Sequence, residues 1–137
     1  MSGRPNTDFV YLETEDVLGL YSEIFRCSVV EARDQLRNLA GLEGALARPM
    51  NYAQYQAADF ALQAAVLAVG IAETQPFVEG NKRTALAAML TFIAINGYEL
   101  ITSQEQLAGW IIRVSAELDE DGLAALIRAA LVPSGPS

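Results

Sequence analysis

The sequence has no histidine, one cysteine (Cys27) and one lysine (Lys82). Without histidine, imidazole cannot serve as a metal ligand, as a general base or as the group that activates a serine or cysteine nucleophile. A single cysteine excludes an internal disulfide and a cysteine metal cluster, and the simplest compartment for such a chain is a reducing one. These absences predict a cytoplasmic protein.

Positive charge is scarce throughout the chain. Nine Lys and Arg residues face 17 Asp and Glu residues, which gives a formal net charge of −8 at pH 7. Broad nucleic-acid binding and attachment to an anionic membrane surface both need clustered cations, so we expect neither partner. The first residues, MSGRPNTDF, lack the apolar core of a signal peptide, and the apolar stretches are too short or too interrupted to span a bilayer.

Helical patterning dominates the 137 residues. A hydrophobic content of 52% with 19% charged residues is typical of a compact globular chain, and period-two alternation is nearly absent. The sequence therefore predicts an all-α, compact single-domain bundle of six to seven helices over residues 9–131. Residues 1–8 are predicted to be a flexible N-terminal lead, and residues 132–137 a flexible tail.

Caps and breakers predict where each helix begins and ends. In the first half of the chain, the predicted helices are 14–26, capped by Thr14, a second that runs from the capping box of Ser28 and Glu31 to Gly41, and 42–48, which Pro49 stops. In the second half they are 57–73, 82–96 capped by Asn81, 104–117 after the capping box of Ser103 and Gln106, and 120–131. The polar stretch 51–56 is predicted to be a loop. Helices 57–73 and 82–96 are apolar nearly all round, so both should be buried, with 82–96 as the central helix.

The loop between these two buried helices places two cations where a helix disfavours them. Lys82 and Arg83 fall in the first turn of the central helix, whose dipole repels positive charge at that end. The free amides of a helix N-terminus attract anions, and Gly80 lets a ligand approach the backbone closely. Bound phosphate would make the two cations favourable. The alternative is that they simply pair with Glu79 or another acid at the surface.

Glu79, directly before Gly80, adds a carboxylate to this loop. Mg²⁺ usually binds through one or two carboxylates together with substrate phosphates, so Glu79 is a candidate magnesium ligand. The segment 79–83 therefore has the composition of a site for a nucleotide with its metal.

The longer segment QPFVEGNKRT, residues 75–84, resembles the signature loop of the Fic/Doc superfamily. The pattern of that family is His-x-Phe-x-(Asp/Glu/Asn)-(Gly/Ala)-Asn-x-Arg, and only the first position differs here. The stretches FVYLETEDVLGLYSEIF, GLEGALARPMNY and ALAAMLTFIAINGYEL are similar to the first helix, a short second motif and the central helix of death-on-curing (Doc) toxins. The resemblance covers about residues 9–131.

The resemblance implies a compact helical fold that binds a nucleoside triphosphate, such as ATP, at the loop and the start of the central helix. It implies these roles: Glu79 engages Mg²⁺, Gly80 and Asn81 help form the anion hole, Lys82 and Arg83 contact phosphate, and Phe77 anchors the loop in the core.

Two positions favour the Doc branch of the family. Adenylylating Fic enzymes carry a motif like Gly-Asn-Gly-Arg-x-x-Arg, whereas this chain has Lys82 at the variable position and Leu86 in place of the second arginine. Doc-type toxins transfer a phosphoryl group to a hydroxyl of translation elongation factor Tu and are held inactive by a small antitoxin. The resemblance thus implies this protein substrate and a Phd-like antitoxin. A noncatalytic nucleotide- or partner-binding module and an adenylyl transferase acting on a protein hydroxyl remain alternatives.

Gln75 stands at the position of the family's general-base histidine. A glutamine amide can orient a hydroxyl but cannot accept its proton near neutral pH, and loss of a general base typically lowers the rate about 10²- to 10⁴-fold. We therefore expect impaired catalysis. An introduced substitution, a natural degenerate enzyme and a natural active variant that uses other groups, such as Glu73, all stay open.

Overall fold

The computed structural model of the chain describes residues 8–117 and 119–135. The elements, in chain order, are α1 (Thr14–Phe25), α2 (Val29–Gln35), α3 (Leu39–Gln56), α4 (Phe60–Thr74), α5 (Asn81–Ile95), β1 (Tyr98–Leu100), α6 (Gln104–Glu117), α7 (Glu120–Ala130) and β2 (Leu131–Pro133). The predicted all-α bundle is confirmed, with one short two-stranded sheet added. No helix among the described residues is long and apolar enough to cross a membrane. Predictions for residues 1–7, 118 and 136–137 lie outside the described residues.

Helix α4 forms the centre of the core. It is buried from Phe60 to Ala72 except at Leu62, and it packs against α3, α5, α6 and α7. Its buried polar side chain, Gln63, accepts a hydrogen bond from the Tyr11 hydroxyl at 2.7 Å and donates one to the carbonyl of Ala58 at 3.1 Å. A buried amide with both ends paired avoids the free-energy cost of an unsatisfied polar group. Helix α5 is less deeply placed, because its first turn and its last residues reach the surface.

Helix α3 corrects three sequence predictions. It runs unbroken through Pro49 and through residues 51–56, so Pro49 does not stop a helix and no loop follows it. Gly41, predicted to end the second helix, lies in the first turn of α3, where its N–H donates to Asn38 Oδ1 at 2.9 Å. Proline removes one helical hydrogen bond, but Pro49 is buried, and packing of its helix face against α4 offsets that loss.

The helix starts were predicted with mixed success. The Ser28–Glu31 and Ser103–Gln106 capping boxes are confirmed by reciprocal hydrogen bonds between side chain and backbone. The cap of α1 is Glu13, which exchanges hydrogen bonds with Asp16, so the prediction of Thr14 was wrong by one residue. Helix α4 begins at Phe60 rather than near residue 57, because the Asp59 carboxylate accepts the N–H of Leu62 at 3.0 Å.

The two short strands join the exit of α5 to the segment that follows α7. β1 pairs antiparallel with β2, with Glu99 opposite Val132, and the N–H of Ser134 donates to the carbonyl of Gly97 at 2.9 Å. The pairing therefore includes Val132 and Pro133, the first residues of the segment predicted to be a flexible tail.

Candidate functional site

The site begins where the chain leaves α4 at Gln75. This residue has a left-handed backbone (φ 45°, ψ 61°), and its N–H donates to the carbonyl of Ile71 at 3.1 Å. A residue other than glycine in this conformation costs roughly 1–2 kcal/mol, so the surrounding structure must compensate. The geometry turns the chain sharply out of the helix and leaves the Gln75 side chain exposed at the head of a cleft.

Backbone hydrogen bonds fix the loop after Gln75 to the junction of α2 and α3. The carbonyl of Pro76 accepts from the N–H groups of Arg37 (2.8 Å) and Asn38 (3.0 Å). Two residues on, the N–H of Val78 donates to the carbonyl of Gln35 at 2.8 Å. The loop is thus held by main-chain atoms of a segment about 40 residues earlier in the sequence.

Asn81 closes the loop from the other side. Its Oδ1 accepts the N–H of Phe77 at 2.9 Å and its Nδ2 donates to the Phe77 carbonyl at 3.0 Å. The Phe77 ring is fully buried and stacks on the ring of Tyr21, with 4.2 Å between centroids. Asn81 is the first residue of α5. The sequence predicted it to be the cap of this helix, and that prediction was wrong, because the cap position belongs to Gly80.

Gly80 has a left-handed backbone with φ 79°. A Cβ placed on it would lie 2.2 Å from Cζ of Phe25, which is inside any possible van der Waals contact. Both the backbone angle and the close ring therefore favour glycine strongly at this position. The ring and the bare Cα together bring the start of α5 against α1.

The first turn of α5 carries free donors and free charge. The amides of Asn81, Lys82 and Arg83 have no hydrogen-bond partner in residues 8–117 and 119–135, as expected for the first turn of a helix without a side-chain cap. Lys82 and Arg83 are exposed, and neither forms an ion pair in that part of the chain. The Arg83 guanidinium instead lies 4.8 Å from the centroid of the Phe25 ring.

The acid nearest in sequence to Gln75 is engaged elsewhere. Glu73 Oε2 lies 2.8 Å from Nη2 of Arg48, and the same guanidinium reaches Glu120 at 3.5 Å. Glu120 also accepts the hydroxyl of Tyr52 at 2.7 Å, and this hydrogen bond, with burial second, raises the pKa of Tyr52. The Glu73 carboxylate is thus part of a network between α3, α4 and α7.

Three adjoining recesses surround the loop. The first, of about 320 Å³, is lined by Ala72, Gln75, Gly80, Asn81, Lys82 and Arg83. The second, of about 290 Å³, is lined by Tyr21, Phe25, Cys27, Glu31, Gln35 and Glu79. The third, the apolar recess, of about 280 Å³, has Leu86, Ala108 and Ile112 beside Lys82 and Arg83. The fold therefore brings five of the predicted site residues to the first recess and places Glu79 in the second.

Two residues of the site were missed by sequence reasoning. Tyr21 is buried under the loop, and its hydroxyl donates to the carbonyl of Glu79 at 3.3 Å. Burial raises the pKa of Tyr21, with smaller contributions from Glu79 and Cys27, so the hydroxyl keeps its proton and stays a donor. Phe25, one helical turn later, supports Gly80 and Arg83. Their spacing of four residues was visible, but it also fits an ordinary core-facing helix.

The sequence model of the Fic/DOC family matches residues 11–93, from the segment before α1 to near the end of α5. This chain belongs to the Fic/DOC family. It is also 38% identical over 92 residues to a protein named Toxin Doc from Mycolicibacterium smegmatis, with 66% of this chain and 67% of that protein covered. The predicted resemblance to the family is thereby confirmed, and the similarity to a protein named Doc agrees with the predicted branch.

Proposed function

We propose that this protein is a Doc-like toxin of a toxin–antitoxin pair. In this proposal it transfers the γ-phosphoryl group of ATP to a hydroxyl of elongation factor Tu, and a small Phd-like antitoxin holds it inactive. Its turnover is slow because Gln75 replaces the general-base histidine of the family. The observation that carries the proposal is the uncapped start of α5, where free amides, Lys82 and Arg83 border one cleft with Gln75. Similarity to a protein named Toxin Doc supports the same reading.

The start of α5 has the features that hold phosphate. Its free amides and the helix dipole favour an anion, and no capping side chain occupies those amides. Lys82 supplies a point charge and Arg83 a planar fork of donors that can take two phosphate oxygens at once. The apolar recess beside them gives the base of the nucleotide a surface to lie on.

Glu79 has the properties expected of a magnesium ligand. Its carboxylate is exposed and makes no ion pair in the described part of the chain, and the residue directly precedes Gly80, although its side chain lines the neighbouring recess. No cluster of three or more metal-ligating side chains occurs among the described residues, so Glu79 would hold the ion together with phosphate oxygens. A bound Mg²⁺ would neutralise charge on the phosphates.

Gln75 stands where the attacking hydroxyl must lose its proton. In the transfer, the hydroxyl oxygen bonds to the γ-phosphorus, the bond from that phosphorus to the bridging oxygen breaks, and ADP leaves. Gln75 can accept a hydrogen bond from the hydroxyl but cannot take up its proton, so the proton passes to water. Phosphoryl transfer relies mainly on positioning and charge neutralisation, so slow turnover persists. Glu73 is occupied by Arg48, which argues against it as a replacement base.

One observation favours a second function. A site with every phosphate-binding feature but no proton acceptor is also what a noncatalytic nucleotide-binding module would have. Adenylyl transfer is less favoured, because Leu86, at the position of the second arginine, lines the apolar recess and offers no charge.

The test is to restore the base. Gln75→His, produced in cells without antitoxin, should stop growth and translation, while Gln75→Ala and the double variant with Arg83→Ala should not. With purified elongation factor Tu, label from [γ-³²P]ATP should appear on the factor and label from [α-³²P]ATP should not. Growth arrest should be relieved by coproduction of the antitoxin. Normal growth and no transfer by well-folded Gln75→His that still binds MgATP would instead establish the noncatalytic module.

A further inference from the structure

An aromatic side chain from α1 lies beneath the charged start of α5. Phe25 is half-buried at the last position of α1, and its ring packs on Tyr21 with 4.5 Å between centroids. On the other side the ring meets the bare Cα of Gly80 and, 4.8 Å from its centroid, the guanidinium of Arg83. The ring is thus wedged between the core and the candidate phosphate site.

The Arg83 side chain makes no hydrogen bond or ion pair in the described part of the chain, and the Phe25 ring is its one aromatic contact there. A guanidinium within about 6 Å of an aromatic ring is attracted by the negative face of the ring. This attraction leaves all five N–H donors free for a ligand, whereas an ion pair with a carboxylate would occupy them. Arg83 is therefore restrained without being neutralised.

We propose that Phe25 is a positioning residue that holds the Arg83 guanidinium ready for the phosphates of the nucleotide. The inference rests on the proposed nucleotide site. Phe25 itself touches no ligand in this proposal, and it acts by lowering the freedom that a long, exposed arginine would lose on binding. Preorganisation of this kind strengthens binding by reducing its entropic cost.

The same ring also supports Gly80, so two routes of action must be separated. If Phe25 acts through Arg83, its removal should matter only while Arg83 is present. If it acts by supporting the loop backbone at Gly80, its removal should weaken binding to the same extent with or without Arg83. A double-mutant cycle distinguishes these routes, because it isolates the coupling between two side chains.

The binding experiment uses MgATP and, separately, inorganic tripolyphosphate, followed by titration calorimetry. Phe25→Leu keeps apolar bulk but has no ring, and it should weaken both ligands about two- to fivefold, the size of an exposed cation–π contact. Phe25→Tyr keeps the ring and should bind as the parent does. In the Arg83→Ala background, Phe25→Leu should cause no further loss. Phe9→Leu, which removes a ring that packs on Phe60 away from the loop, is the matched control.

A second measurement does not depend on nucleotide binding. In NMR spectra of the ligand-free protein, the side-chain protons of Arg83 should be shifted upfield by the ring current of Phe25, and this shift should disappear in Phe25→Leu. Unshifted Arg83 protons, or an equal loss of affinity in both backgrounds of the cycle, would overturn the role of Phe25. Shifted protons without any MgATP or tripolyphosphate binding would overturn the proposed function instead, and with it the purpose assigned to the contact.

Discussion

The two helices on either side of the loop begin in opposite ways. The cap of α4 is Asp59, whose carboxylate accepts the N–H of Leu62 and also pairs with Arg128 through bonds of 2.7 and 2.9 Å. The cap of α5 is Gly80, which offers no side-chain acceptor, and the first turn of the helix carries Lys82 and Arg83. At the start of α4, the chain itself supplies both the hydrogen-bond acceptor and the negative charge. The start of α5 has free donors and positive charge where a helix would be stabilised by negative charge.

The difference between the two helix starts shows that α4 begins with groups that stabilise the fold, whereas α5 begins with groups suited to bind a ligand. An acidic cap stabilises a helix by satisfying its amides and opposing its dipole, and five other helices here have acceptor side chains at their starts. Helix α5 lacks that stabilisation, and the packing of α5 against α4 and α1 compensates for the loss. An external anion at the start of α5 would then do what Asp59 does at the start of α4.

The largest expected effect is that of Gly80→Ala. The new methyl group would require a strained backbone at φ 79° and would collide with the ring of Phe25, so we expect a loss of about 2–4 kcal/mol in the free energy of unfolding. Urea denaturation measures it. Gly44→Ala is the control, because nothing lies near that position in α3, and it should stabilise the protein by about 0.5–1 kcal/mol. Equal behaviour of the two variants would remove the argument that the loop needs glycine.

The next effect is on the acidic cap of α4. Asp59→Ala removes an N-cap and an ion pair that is half exposed, and it should lower the free energy of unfolding by about 1–2 kcal/mol. Asp59→Asn keeps an oxygen for the Leu62 N–H, so it should cost less, at most about 1 kcal/mol. A cost as large as that of Gly80→Ala would mean that the two helix starts do not differ in the way described.

The pH dependence of these variants has a definite sign. Hydrogen bonding to Arg128, against an opposing contribution from burial, holds the pKa of Asp59 below its usual value of 3.8. Because the folded-state pKa lies below the unfolded-state value, the stabilisation is complete above about pH 4 and is lost as the pH falls through the folded-state pKa. The stability difference between the parent and Asp59→Asn should therefore shrink below about pH 4. A constant difference down to pH 2 would contradict the ion pair.

The smallest expected effect has the opposite sign. Lys82→Glu places an acid in the first turn of α5 and should raise the free energy of unfolding by about 0.3–1 kcal/mol at low salt, while MgATP binding is lost. Lys82→Gln, which removes the charge without reversing it, should give about half the gain. If either variant were less stable than the parent, the positive charge at this helix start would be structural and not reserved for a ligand.

Most of the fold could be predicted because each helix carries its own local signals. The boundaries of α5, α6 and α7 follow from caps and glycine close to where the sequence placed them. The largest errors fall in α3, where the sequence predicted Gly41 and Pro49 to be helix breakers. Burial of Leu42, Ala45 and Leu46 on one face of that helix overrides the local preference, and such packing cannot be seen in a short window of sequence.

For the candidate site as well, local features could be predicted from the sequence and the three-dimensional arrangement could not. Gln75 and residues 79–83 are adjacent in the chain, so a linear motif could identify them together. Their arrangement was not predictable: Asn81 turns back to Phe77 instead of capping α5, and Glu79 faces a recess different from that of the cations. Tyr21 and Phe25 come from a helix more than 50 residues earlier. Only the folded chain shows that they support the loop.

The attachment of the loop to residues 35–38 has a consequence for how such sequences can diverge. The bonds from Arg37, Asn38 and Val78 join backbone N–H groups, which every residue except proline can supply, to backbone carbonyls, which every residue supplies, Pro76 included. The exposed side chain of Arg37 can therefore change between related proteins while the loop keeps its position, whereas Leu36 packs against the hydrophobic core. Proline at position 78 would remove that position's donor. Variation at position 37 therefore carries no information about whether the site is intact.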